Sequence, residues 1–123
     1  MATDIGTIDL EGAAQSGVWH KLVLPDGEVS DAEILLMGMD APELEEVIGL
    51  LQQKEGRDMK MIDYMIKVVS VAAMDARNLE NNGEVVTASQ LPALFQKHKK
   101  WMVEQCFRVV MKRAEYLGNS SAN

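Results

Sequence analysis

The sequence predicts a mainly α (α+β) domain: one small N-terminal β-hairpin followed by a bundle of three to four helices. Two observations carry this expectation. Apolar arms flank Pro25-Asp26-Gly27, a triplet that combines a fixed φ, an Asx side chain and a left-handed position. Downstream, apolar residues recur with helical spacing in four successive segments. The chain has 123 residues, 47% of them apolar and 25% charged, which suits one compact domain, assigned to residues 1–118, with residues 119–123 as a small, polar, flexible tail.

Each element has a local reason. Residues 9–16 form a short helix that Gly17 ends. The hairpin covers residues 18–38, with Trp19, Leu22 and Leu24 in its first arm. The first substantial helix spans 40–55: Asp40 is the N-cap, Pro42 lies in the first turn, and Leu44, Val47, Ile48 and Leu51 repeat at i, i+3, i+4 and i+7. Gly56 breaks it. The longest helix spans 58–80. Ile62, Met65, Ile66, Val69, Ala73 and Ala76 lie on one face, and Met61, Tyr64, Val68, Val71 and Ala72 widen the apolar arc beyond half the circumference. Asn81-Asn82-Gly83 closes it. Thr87 to Gln90 read as a capping box for a helix over 88–97, and the last helix spans 99–117 with Gly118 as its C-cap.

Composition narrows the function classes. One cysteine, Cys106, excludes an internal disulfide framework. The formal charge of −7 opposes nonspecific nucleic-acid or membrane-surface binding. No apolar run approaches the roughly 20 residues of a membrane span, and a cytoplasmic location is expected. Charge is also uneven. Residues 1–56 carry net −10 and residues 57–123 carry net +3, with Lys97, Lys99, Lys100, Arg108, Lys112 and Arg113 against Glu104 in the basic part. This division fits two solvated faces of one fold, head-to-tail self-association, or an acidic partner.

Chemistry has no visible carrier. His20 and His98 are not spaced with Cys106 as metal ligands, the acids do not follow a calcium loop, and no glycine-rich phosphate cradle follows a strand. No catalytic set, cofactor or metal is therefore expected. Nine methionines against six aromatics stand out instead. Thioethers fill core gaps and also make adaptable binding surfaces. A helix apolar on so many sides suggests a surface meeting another chain, and Met59, Met61, Met65, Val68, Trp101 and Phe107 are the candidate partner-binding residues. If Trp101 and Phe107 are core instead, truncating either to alanine costs about 3–5 kcal/mol.

Three segments together resemble the small tail-assembly chaperones of long-tailed (siphovirus-type) bacteriophages. They are Ile8-Asp9-Leu10-Glu11-Gly12-Ala13-Ala14 leading into Gly17-Val18-Trp19, Leu24-Pro25-Asp26-Gly27 followed by Ile34 to Asp40, and Leu94-Phe95 with Trp101 to Gln105 and Arg113 to Leu117. Ala41 stands where the family often has serine, and Glu115 where it often has asparagine. The resemblance implies a non-enzymatic protein that binds the tape measure protein, keeps it soluble and promotes assembly of tail-tube subunits around it in the host cytoplasm. A homo-oligomer is possible. Two other readings stay open: a structural neck or tail-completion protein built on the charge division, and a small nucleic-acid-binding regulator using Lys97 to Trp101.

Overall fold

The computed structural model describes residue 2, residues 4–55 and residues 59–121. The expected break at Gly56 and helix start at residue 58 lie outside the described residues, as does the end of the tail at 122–123. A 3₁₀ turn, Ile5–Thr7, leads into α1 (Leu10–Ser16), β1 (Val18–Val23), β2 (Val29–Leu36), α2 (Pro42–Leu50), α3 (Met61–Ala72) and β3 (Ala73–Arg77). There follow β4 (Glu80–Asn81), β5 (Glu84–Val85), α4 (Leu91–Lys97), α5 (Glu104–Val110) and α6 (Arg113–Ser121).

The expected architecture of one hairpin followed by a helix bundle is overturned: the fold is mixed α+β. Among the described residues there are a three-stranded antiparallel sheet in the order β1-β2-β3, a two-stranded β4-β5 ribbon, and six helices. The main error lies in the helix expected over 58–80, which ends at Ala72 and continues as β3. Ala, Met and Arg favour helix, so Ala73-Met74-Asp75-Ala76-Arg77 reads as helical by propensity. Yet β2 carries the fully buried Ile34 and Leu36, and its second edge needs partners for backbone groups that would otherwise be buried unpaired. β3 supplies them, with Ile34 opposite Ala76 and Leu35 opposite Asp75. The Asn82-Gly83 pair does make a turn, both residues at positive φ (53° and 84°), but it joins β4 to β5 rather than capping a helix.

A second correction concerns the helix expected over 99–117. It is a single π-type turn, Lys99–Val103, then α5, then a separate α6 that runs past Gly118 to Ser121. The break has a visible cause. The Val110 carbonyl accepts the Met39 amide at 3.0 Å from the loop after β2. That carbonyl would otherwise accept the amide four residues on in a continuous helix. The N-cap expected at Asp40 is likewise displaced: Ala41 occupies the cap position, and the Asp40 carboxylate instead takes Arg113 of α6 through Nε at 2.8 Å and Nη2 at 3.1 Å. The first hairpin, α1, α2 and α4 lie where the sequence places them.

The sheet buries one face. Leu22, Ala32, Ile34 and Leu36 are buried in the core, where α5 packs on β1 and β2. On the opposite face the Arg77 guanidinium lies 4.1 Å from the centre of the Trp19 ring and binds Glu33 at 2.9 Å, linking all three strands. Arg77 also holds the Glu33 carboxyl below its usual range.

Candidate partner-binding grooves

Two open grooves lie on the described surface. The first, of 680 Å³, lies between α2, α3 and α4. The helical repeat of α2 explains one wall. Leu44 is fully buried, Val47 is half-buried, and Leu50, one position further round, remains 48% exposed. α3 contributes Ile66 and Val71, and α4 contributes Pro92 and Ala93. Lys67, Ser70 and Gln96 form the polar rim. An apolar floor with a polar rim is the usual form of a site for an amphipathic helix.

The sequence-predicted residues mostly lie elsewhere. A step of about 100° per residue puts Met61, Met65, Val68 and Ala72 on one stripe of α3 and Lys67, Ser70 and Val71 on another. Val68 is fully buried, so its side chain belongs to the core rather than to the surface. Met65 and Met59 are half-buried against that core, and Met61 is 68% exposed. Phe107 packs edge-on against Tyr64, centroids 6.3 Å apart. Trp101 is half-buried and donates from its indole N–H to His98 Nδ1 at 3.3 Å. Tyr64 and Phe107 bring α3 and α5 together, but the six residues do not form one patch. In the sequence Leu50 is an ordinary apolar position and Val71 only one of many in the wide arc of α3; their placement against Pro92 and Ala93 of α4 is what opens the groove.

The second groove, of 540 Å³, runs between the end of β1 and α5. Gln105 builds it. Its Oε1 accepts the Val23 amide at 2.8 Å, while its Nε2 donates to the carbonyls of Val23 at 2.9 Å and Trp101 at 2.8 Å. These backbone partners orient the side-chain amide, so His20 Nε2, 2.8 Å from Oε1, must be the donor in that contact. Trp101, Leu24 and Pro25 line the groove beside Lys100, Arg108 and Lys112.

Some of the segments quoted for the family resemblance, α1, Met37 to Asp40 and Arg113 to Tyr116, meet at a third place. α1 packs on α6. The Gly38 amide donates to the Ala14 carbonyl at 3.0 Å. A Cβ at Gly38 would meet the Tyr116 ring at 3.0 Å and the Ala14 Cβ at 3.1 Å, so any larger residue would push these neighbours back by a few tenths of an ångström. The buried Tyr116 hydroxyl donates to the Met37 carbonyl at 3.1 Å, and Arg113 closes the junction on Asp40.

Among the described residues, no group of three or more His, Cys, Asp or Glu is placed to hold a metal ion, and no helix is long and apolar enough to cross a membrane. Cys106 is fully buried, and burial pushes its thiol up to about 12. Tyr116 is also pushed up, by burial first and then by Glu115. Both groups thus ionise more easily unfolded, and the contribution of Cys106 is intact below its reference value of 9.0 and that of Tyr116 below 10.0, each being lost as pH rises further. Urea titrations are expected to show stability falling from pH 9 upward, with a shallower fall for Tyr116→Phe; an identical slope in that variant would remove Tyr116 from the account. Comparison of the chain with family models, with curated proteins and with solved structures gives no match.

Proposed function

We propose that this chain is a non-enzymatic tail-assembly chaperone whose α2–α3–α4 groove takes an amphipathic helix of a tape measure protein. The groove itself carries the reading: the partly exposed Leu50 and Val71, with Pro92 and Ala93, form an open apolar trough rimmed by polar side chains. A long helical partner would bury its own apolar stripe there and stay soluble until tail-tube subunits assemble around it. The choice of a tape measure protein as partner rests on the resemblance of the three segments, and the open apolar groove supports binding of an amphipathic helix.

Co-expression tests this. The wild-type chain is expected to keep the tape measure protein of the same phage in the soluble fraction. Leu50→Asp with Val71→Asp is expected to weaken the complex at least about 100-fold, since a desolvated carboxylate opposes an apolar helix at two sites. Both side chains are partly exposed in the free protein, so the thermal transition should move little. A tape measure protein equally insoluble with and without the wild-type chain would defeat the reading.

A further inference from the structure

The second groove and the N-terminal arm fit each other, and we infer that residues 4–9 of one copy dock in the β1–α5 groove of a second copy of this chain. The arm is acidic and apolar at once. Ile5 is 76% exposed and Ile8 53% exposed, and Asp4, Asp9 and Glu11 lie beside them in sequence, the Asp4 and Asp9 carboxylates each accepting a backbone amide, from Gly6 and Gly12, while keeping their charge. Ile5 opens a short 3₁₀ turn and Ile8 is its extended C-cap, whose amide donates to the Ile5 carbonyl at 3.1 Å, so the two side chains lie one turn apart.

The groove offers the complement. Trp101 and Leu24 form an apolar floor, both with surface left open to solvent. Lys100, Arg108 and Lys112 line it, against Glu104 and Glu115. Lys112 is engaged with Glu115 at 3.5 Å, whereas among the described residues Lys100 and Arg108 make no ion pair. Two isoleucines flanked by carboxylates therefore meet an aromatic floor flanked by two uncommitted cations. The net −10 of residues 1–56 against +3 in the remainder favours the same head-to-tail approach at longer range. Because arm and groove are different patches, the contact is heterologous; two copies can exchange arms reciprocally, or the contact can propagate. It lies on α5 and β1, away from the α2–α3–α4 groove, and stands independently of the partner proposed there.

Complementation between two variants, followed by sedimentation equilibrium, tests the inference. The wild-type chain should self-associate with increasing concentration, and more weakly at high salt. Ile5→Ser with Ile8→Ser removes the arm's anchors, and Lys100→Glu with Arg108→Glu reverses the groove. Each double variant alone should lose at least about tenfold in association constant. An equimolar mixture of the two should recover a one-to-one complex, because an intact arm then meets an intact groove. All four side chains are exposed, and circular dichroism should show both variants folded. A wild-type chain that stays monomeric up to about 1 mM, the weak end of specific association, would overturn the inference. So would undiminished association in either double variant alone, or a mixture that sediments as monomers.

Discussion

Gln105→Leu is expected to destabilise the protein by about 2–3 kcal/mol, read as a lower urea midpoint at unchanged m. Gln105 is only 7% exposed and uses its whole hydrogen-bonding capacity: two donors to the Val23 and Trp101 carbonyls, two acceptor positions to the Val23 amide and His20. Its amide pairs with both backbone groups of Val23, beside the register shift between Lys21 and Val23 in β1. Leucine keeps the volume but strips all four partners. Val23 is 37% exposed, so water can recover part of the loss, which keeps the expected cost below that of a fully buried site. His20→Ala removes one partner of four and should cost about 1 kcal/mol or less. A Gln105→Leu variant within 0.5 kcal/mol of wild type, roughly the ordinary scatter of surface substitutions, would mean that water already serves Val23.

Phe95→Ala should cost more, about 3–5 kcal/mol, because the ring is fully buried in α4 and its removal opens a cavity as well as forfeiting burial. Against the roughly 5–15 kcal/mol that stabilises an ordinary domain, this is a large share. Trp101→Ala and Phe107→Ala fall lower, about 1–3 kcal/mol, since both rings are half-buried and their sites can take up solvent. The order Phe95 first, then Phe107 and Trp101, checks the burial account by thermal or chemical denaturation. Equal losses at all three would contradict it.

Local chemistry made part of this molecule legible. The Pro25-Asp26-Gly27 turn joins the first two strands, the Thr87 capping box opens the turn before α4, and the apolar repeat of Leu44, Val47 and Ile48 marks α2. What escaped depends on contacts between distant segments. Ala73 to Arg77 have helical propensities, and only the open edge of β2 makes them a strand. The break before α6 depends on a Met39 amide that meets Val110 across 71 residues of sequence. Asp40 has the chemistry of an N-cap, but Arg113 takes its carboxylate once α6 lies alongside.

The same distinction divides the candidate site. The wide apolar arc of residues 61–76 reads as a surplus for another chain, yet most of it closes on the protein's own sheet and helices. Val68 and Ala72 are fully buried, and Met65 packs against the core. Met61 keeps 68% of its surface open, but the apolar surface that lines the α2–α3–α4 groove comes from Leu50 and Val71, neither of them a methionine. Methionine enrichment signals adaptable packing; where that packing faces is decided by the fold.

Chemical-shift mapping tests the binding account most directly. Titrating the ¹⁵N-labelled chain with an amphipathic helical segment of the tape measure protein should perturb the amides of Val47, Leu50, Lys67, Ser70, Val71 and Ala93 together and saturably. Those of Trp19, Glu33 and Arg77 on the far face of the sheet should stay unmoved. Perturbations confined to that sheet face, or none at saturating segment, would contradict the assignment of the α2–α3–α4 groove as the partner site.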